Sequence, residues 1–571
     1  MVPPARVDRH VTYETSINLL VRSCTVISDT GFQRRGRRGL RDYLRPDSGG
    51  RSTVFGTRGA VACEHPQAAL AGIRVLDAGG NAADACVAMA AAMAVLGPMK
   101  TGMGGDAFLL YYDAATGGIR GLNGSGGAPR GLTLKNLRER GLSGMPERGG
   151  LTVTVPGAVR MWEDANRELG RLPLADLLEP AYGFAEEGFP VSEVVARYWK
   201  GAEGLLRKNA AAARTFLPGG RAPEPGELFR QPDLARTIAA VMEEGAGAFY
   251  GGEVGRSIAR SVREAGGYLS EEDLAAHRSL WVEPVSTSYR GITVHEIPPP
   301  GQGVAALEML NILEGFDLSD LDALSADRIH LEAEAKKLAF DDLHAKVGDP
   351  DFGEIPTAEL LSKEYAAKLR SRISLFRAAE AAEPALGSDT TYLCAVDAEG
   401  NGCSFINSLY MGFGSGVVAE GTGVCLQNRG SSFRIIEGHP NAPEPGKRPL
   451  HTIIPGLATE ENGALWAVFG VMGGPMQPQG HAQLLVNLID YGMNPQQAVD
   501  HPRHFHHEGT LLLEGRVPER EADRLRDMGH RVEVGADYAI PTGGAQLIRV
   551  KEDGVRACGS DPRKDGCALA Q

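Results

Sequence analysis

Ser388-Asp389-Thr390-Thr391-Tyr392-Leu393-Cys394-Ala395-Val396-Asp397 reads as the start of a buried strand. Two threonines follow an acidic residue, and an apolar run leads into the turn Ala398-Glu399-Gly400-Asn401. A second strand, residues 402–409, and the glycine-rich Gly412-Phe413-Gly414-Ser415-Gly416 come next. Two apolar runs joined by a short turn form a hairpin. If the chain were cut before Thr390, that threonine would become an N-terminus. Its hydroxyl would then be a nucleophile and its own α-amine the base.

Working outward, a chain of 571 residues is long enough to bury a large core and to form more than one lobe. The formal net charge of -13 argues against nucleic acid as the main partner. The uncharged run at residues 85–99 is too short and too rich in alanine to span a membrane, and reads as a buried helix. The cysteines are scattered with no C-x-x-C pair, which favours free thiols in a reducing compartment. Residues 1–52 read as a flexible extension. They carry the basic cluster Arg34, Arg35, Arg37, Arg38, Arg41 and Arg45, with no apolar core after it. An export signal needs that order of charge then apolar core, so the cytoplasm is expected, with the periplasm as the alternative.

From residue 53 the texture is that of a folded domain. Strands are expected at residues 59–63, 107–112, 294–297, 390–396, 403–409, 423–426 and 466–471. Helices are expected at 65–78, 82–96, 158–169, 174–187 with a break or kink at Pro180, 234–244 and 480–491. Two more helices, 304–313 and 326–342, read as amphipathic. Residues 374–384 read as an exposed linker. Strands with helices outside them indicate an α+β or layered α/β fold.

Three motifs have plainer readings. Gly102-Met103-Gly104-Gly105-Asp106-Ala107 matches a dinucleotide fingerprint in letters. A helix precedes it and a strand follows, the reverse of the required order, so a tight backbone crossing is the better reading. His501-Pro502-Arg503-His504-Phe505-His506-His507 lacks a metal-binding spacing and reads as a packing loop. Gly473-Gly474 follows an apolar strand and leaves backbone N–H groups open to an oxyanion, although taken alone it is only a turn. No G-x-S-x-G and no H-E-x-x-H occurs, and no cofactor or metal is expected.

Taken together, these pieces resemble the gamma-glutamyltranspeptidase (glutathione hydrolase) family of N-terminal-nucleophile hydrolases. The likeness runs from about Gly59 to the C-terminus. It rests on Thr101-Gly102-Met103-Gly104-Gly105-Asp106, Val155-Pro156-Gly157, Ile297-Pro298-Pro299-Pro300, Glu334-Ala335-Lys336-Lys337, Gly348-Asp349-Pro350, Asp389-Thr390-Thr391, Phe413-Gly414-Ser415-Gly416, Gly473-Gly474 and Pro502-Arg503, in the family's order. The resemblance implies an α+β, four-layer αββα sandwich built from a large piece, 53–389, and a small piece, 390–571, associated after self-cleavage between Asp389 and Thr390. It implies Thr390 as nucleophile, Ser408 where the family has a threonine that steadies it, and Gly473 and Gly474 as the oxyanion site. It also implies a small-molecule amide as substrate, without nucleic acid, membrane or cofactor.

The substrate clamp departs from the family pattern. Ser125 stands where glutathione-cleaving members have an arginine for the α-carboxylate. Arg429 and Ser432 stand where they have acidic or neutral partners for the α-ammonium. Tyr410 replaces an asparagine, and His451-Thr452 replaces a serine pair. An ammonium would meet a cation at Arg429, whereas arginine suits a carboxylate. The expected acyl group therefore carries a carboxylate and lacks an α-amine, as in oxamate or a glutaryl amide. In these residues the chain looks most like the oxamate amidohydrolase branch. Three alternatives stay open. Arg429 pairs with a carboxylate of the protein itself, the enzyme is a true γ-glutamyl transferase, or the chain is an uncleaved binding protein.

Overall fold

The computed structural model describes residues 51–380 and 389–571. The N-terminal extension, apart from Arg51 and Ser52, and the last part of the expected linker lie outside the described residues. Among the described residues no helix is long and apolar enough to cross a membrane.

The strand that opens with Asp389 and Thr390 lies near the middle of a seven-stranded antiparallel sheet. Its order is Cys567–Ala570, Ala60–Cys63, Asp389–Val396, Gly402–Tyr410, Asp106–Asp113, Gly118–Asn123 and Leu280–Val282. Period-two alternation sends Tyr392, Cys394 and Val396 to one face and Leu393 and Ala395 to the other. Both faces are covered, which is why the strand is apolar from Tyr392 to Val396.

Leu393 and Ala395 meet the helix Ala82–Leu96, which is buried over its whole length. Asn81 and Asp84 form its capping box. Tyr392, Cys394 and Val396 meet a second seven-stranded antiparallel sheet, ordered Val54–Gly56, Arg556–Ser560, Gly544–Val550, Leu465–Met472, Gly456–Glu460, Ile292–Glu296 and Val285–Tyr289. The helices Gly303–Leu313 and Met476–Ile489 cover that sheet from outside. The result is helix, sheet, sheet, helix, as the α+β reading requires. The sheets fit closely at Gly470, where a β-carbon would fall 2.3 Å from the Tyr392 ring. Each sheet combines strands from before and after residue 389.

The glycine-rich stretch before Asp106 is a backbone crossing. A β-carbon on Gly104 would lie 2.1 Å from the Cys425 carbonyl oxygen, and one on Gly105 would lie 2.4 Å from that of Ser408. Only glycine permits approaches this close.

Several elements differ from expectation. Residues 423–426 form no strand, only isolated bridges from Leu426 to Gly104 and from Cys425 to Val418. The helix expected from Gly480 already begins at Met476, because Pro478 falls in its first turn, where no backbone N–H is needed. The helix Leu174–Glu186 runs on through Pro180 without ending. The helix Ala326–Lys346 is longer than expected. It and Gly303–Leu313 are buried on nearly every side rather than amphipathic, since other elements wrap them. The histidine-rich segment is a strand, His504–His507, paired with Thr510–Leu513. Alternation places His504 and His506 on one face, while Phe505 and His507 stack on the other at 5.2 Å.

Full burial of Gly303–Leu313 includes Glu308. Desolvation, joined by the nearby Asp342 carboxylate, pushes its carboxyl up to about 10. The folded value lies above the unfolded one, so the stability Glu308 contributes is present below about pH 4.3 and is lost as pH rises toward the folded value. Glu308→Gln removes this loss. Its melting temperature relative to the unmodified protein should climb between about pH 5 and pH 9, measured by scanning calorimetry across that range. A difference that does not change with pH would contradict the assignment.

Candidate active site

Thr390 stands at an irregularity in its strand. Asp389 pairs with Tyr410 and Thr391 with Asn407, so Thr390 alone faces both Ser408 and Leu409. Bulges of this kind re-aim a side chain. Here the Thr390 hydroxyl lies 3.3 Å from the Ser408 oxygen, and both residues are buried. Thr391 turns its hydroxyl to Glu64, whose other carboxylate oxygen is 2.8 Å from the Lys100 ammonium. A buried ion pair thereby fixes the strand beside Thr390.

Ser408 accepts from the Tyr410 backbone N–H at 2.8 Å and from an Arg429 terminal nitrogen at 3.4 Å. Tyr410 has a φ of 79°, a left-handed conformation uncommon for a bulky residue, and Phe413 in the following turn shares it with a φ of 56°. That turn carries the Tyr410 ring against Arg429, whose guanidinium carbon is 4.1 Å from the ring centroid.

Arg429 is completely buried. One terminal nitrogen donates to Thr452 Oγ1 at 2.8 Å, the other faces Ser408, and Nε lies 3.7 Å from Asp106 Oδ2. Desolvation lowers the guanidinium to about 10, against the opposing pull of Asp106, so it is charged at neutral pH. The alternative of a protein carboxylate for Arg429 is thus realised by Asp106 on the Nε edge. The terminal nitrogens point instead at neutral hydroxyls.

Asp106 is the hub of the site, and the sequence reading gave it no role beyond the glycine motif. Its Oδ1 accepts from the Gly126 N–H at 3.3 Å, and its Oδ2 is 3.1 Å from His451 Nε2. Burial and the Arg429 charge lower the His451 imidazole to about 4, so it is neutral at pH 7. Its Nε2 then carries the proton and donates to Asp106. Phe108 packs on the ring at 4.6 Å. The detectable signal was a carboxylate placed between a glycine crossing and an apolar strand.

Gln302 was also missed. Its side-chain nitrogen donates to the carbonyls of Thr452 and, at 2.8 Å, Gly474. This ties the glycine pair to the Arg429 cluster. Gly473 and Gly474 have φ of 126° and 57°, which other residues rarely adopt, and the helix Met476–Ile489 starts just beyond them.

Ser125 and Ser432 are brought near the cluster, but their hydroxyls are engaged by the protein. Ser125 Oγ donates to Asn123 Oδ1 at 2.6 Å. Ser432 Oγ lies 3.0 Å from the Arg429 carbonyl oxygen and 3.1 Å from that of Leu450, and its one proton serves these two acceptors and closes the turn that presents Arg429.

The family model described as gamma-glutamyltranspeptidase matches residues 68–571. The chain belongs to that family and is an enzyme of the N-terminal-nucleophile type. It is 41% identical over 525 residues to the glutathione hydrolase-like YwrD proenzyme of Bacillus subtilis, covering 90% of this chain and 99% of the relative. It is 35% identical over 529 residues to the oxamate amidohydrolase proenzyme of Klebsiella pneumoniae, with 90% and 99% covered. Among solved structures, cephalosporin acylase from Bacillus halodurans superposes with a TM-score of 0.87 at 43% identity, covering 92% of this chain and 98% of that one.

Removing one partner of a buried pair leaves an uncompensated charge, at about 3–5 kcal/mol. Asp106→Asn should destabilise the protein by that order in denaturant titrations. The double variant Asp106→Asn/Arg429→Met should lose at least about 1 kcal/mol less than the sum of the single variants. Strict additivity would remove Asp106 as the counter-ion of Arg429.

Proposed function

We propose that the chain is a self-cleaving threonine amidohydrolase whose substrate is an amide with a carboxylate on its acyl side and no α-amine. The observation that carries this reading is the direction of the Arg429 fork. Its charged terminal nitrogens point at Ser408 and Thr452, and Ser408 lies beside the Thr390 hydroxyl. A substrate carboxylate replacing those neutral partners would make charge-assisted, bidentate contacts.

In maturation, Thr390 Oγ1 attacks the carbonyl carbon of Asp389. The amide nitrogen of Thr390 leaves as the acyl group moves to oxygen, and water then hydrolyses the ester. The products are a carboxylate on Asp389 and a free α-amine on Thr390. That amine titrates near 7.7–8.0, so much of it is available as a base near neutral pH.

In turnover, the amine takes the Thr390 hydroxyl proton as Oγ1 attacks the substrate carbonyl. Ser408 steadies the attacking oxygen, and the N–H groups of Gly473 and Gly474 receive the developing oxyanion. The proton passes to the leaving amine as the C–N bond breaks. Water, activated by the same amine, releases the acid, and an acceptor amine in place of water gives transfer.

Asp106 supports a second reading, a true γ-glutamyl enzyme, because a buried carboxylate suits an α-ammonium. Both of its oxygens, however, already face Gly126, His451 and Arg429. The two readings separate on a substrate panel. Oxamate and glutaryl anilides should give a kcat/KM at least about tenfold above γ-glutamyl anilide, from charged hydrogen bonds of about 1.5–3 kcal/mol. Arg429→Gln should lower the acidic substrates about 10- to 150-fold, and Thr390→Ala should abolish turnover, both in variants with unchanged circular dichroism. Equal kcat/KM for both classes would overturn the substrate assignment. Turnover by Thr390→Ala would overturn the nucleophile.

A further inference from the structure

Away from Thr390, the helix Ala326–Lys346 places His330 and Glu334 four residues apart, on one face. His530 comes from the turn between the helix Glu519–Asp527 and the strand Arg531–Val534. All three side chains are buried, and one ligand-capable atom from each lies within 4.8 Å of the others. His330 Nδ1 is 2.8 Å from His530 Nε2.

The second nitrogen of His330 faces the Ser374 carbonyl oxygen at 2.6 Å. A carbonyl only accepts, so His330 Nε2 carries the proton and Nδ1 presents its lone pair. Metal-bound histidines are held in this way by an outer carbonyl. Glu334 is held in place as well. Its Oε1 is 2.6 Å from the Lys337 ammonium, and the Ala379 N–H lies 3.3 Å from Oε1 and 3.1 Å from Oε2. The histidines of the 501–507 segment face other partners, with His504 3.4 Å from Glu332 and His506 3.3 Å from Lys336.

We propose that His330, Glu334 and His530 form a binding site for one divalent transition-metal ion of the zinc type. Two imidazoles and one carboxylate are a zinc-like donor set, and calcium or magnesium would require more oxygens. Binding requires His530 to move its ring proton from Nε2 to Nδ1. The two ring nitrogens then part to about 3.3 Å, as set by metal–nitrogen distances of about 2.0–2.1 Å. Lys337 stays on Glu334 Oε1, so Oε2 is the ligand, and the ammonium keeps the affinity below that of an all-thiolate site. His330 and Glu334 precede the Asp389–Thr390 bond and His530 follows it. Under the cleavage proposed above, the ion would join the two pieces.

The test uses full-length protein, stripped with a chelator and titrated with zinc chloride by calorimetry, with bound metal counted by mass spectrometry. One zinc per chain is expected. At least a tenfold loss of affinity is expected in His530→Ala and in Glu334→Gln, and no change in His504→Ala. Glu334→Gln keeps the shape of the side chain, so it remains informative if His530→Ala fails to fold. Cobalt(II) in place of zinc should give the absorption bands of a tetrahedral ion. No retained zinc, or zinc unaffected by both variants, would overturn the site. Binding is read independently of cleavage, so either proposal can fail without the other.

Discussion

A guanidinium with no exposure to solvent is the constraint around which the site is built. Arg429 cannot shed its proton at neutral pH, so its neighbours must compensate a buried charge. Asp106 supplies the opposite charge, the Tyr410 ring covers one face, and Thr452 and Ser408 take the terminal nitrogens. Each partner then fixes something else. Asp106 holds His451 and the Gly126 loop, Thr452 reaches Gly474 through Gln302, and Ser408 reaches Thr390. One charge thereby links the segments that carry Thr390, the glycine pair and the proposed substrate contacts.

The two-sheet frame makes such a site compatible with a cut chain. Each sheet contains strands from either side of residue 389, and the Thr390 strand is bonded to Ala60–Cys63 on one side and to Gly402–Tyr410 on the other. Breaking the Asp389–Thr390 bond leaves every pair from Thr391 onward on the strand that begins at Thr390. The inter-sheet core likewise draws on both segments, with Phe108 and Ile297 from before residue 389 and Tyr392 and Val468 from after it.

The hairpin at Thr390 was legible because its signals are local: an apolar run, a glycine turn and a second apolar run. The order of helix, glycines and strand around residue 104 was legible for the same reason, and the steric crowding there explains the glycines. Asp106 stayed silent because its partner His451 is 345 residues away, a separation that no periodicity reports. Ser125 and Ser432 were placed at the site by sequence register, and the acceptors of their hydroxyls within the protein were not legible there. The dense histidines near residue 504 drew attention by adjacency, while strand alternation splits them between two faces. His330 and His530, 200 residues apart, meet instead.

The account stands most directly on the intact mass of the purified full-length protein under denaturing conditions. It predicts two species for the unmodified chain, one ending at Asp389 and one beginning at Thr390, and a single uncut species for Thr390→Ala. A single full-length mass for the unmodified protein after prolonged incubation would contradict it, because the α-amine of Thr390 would never be released.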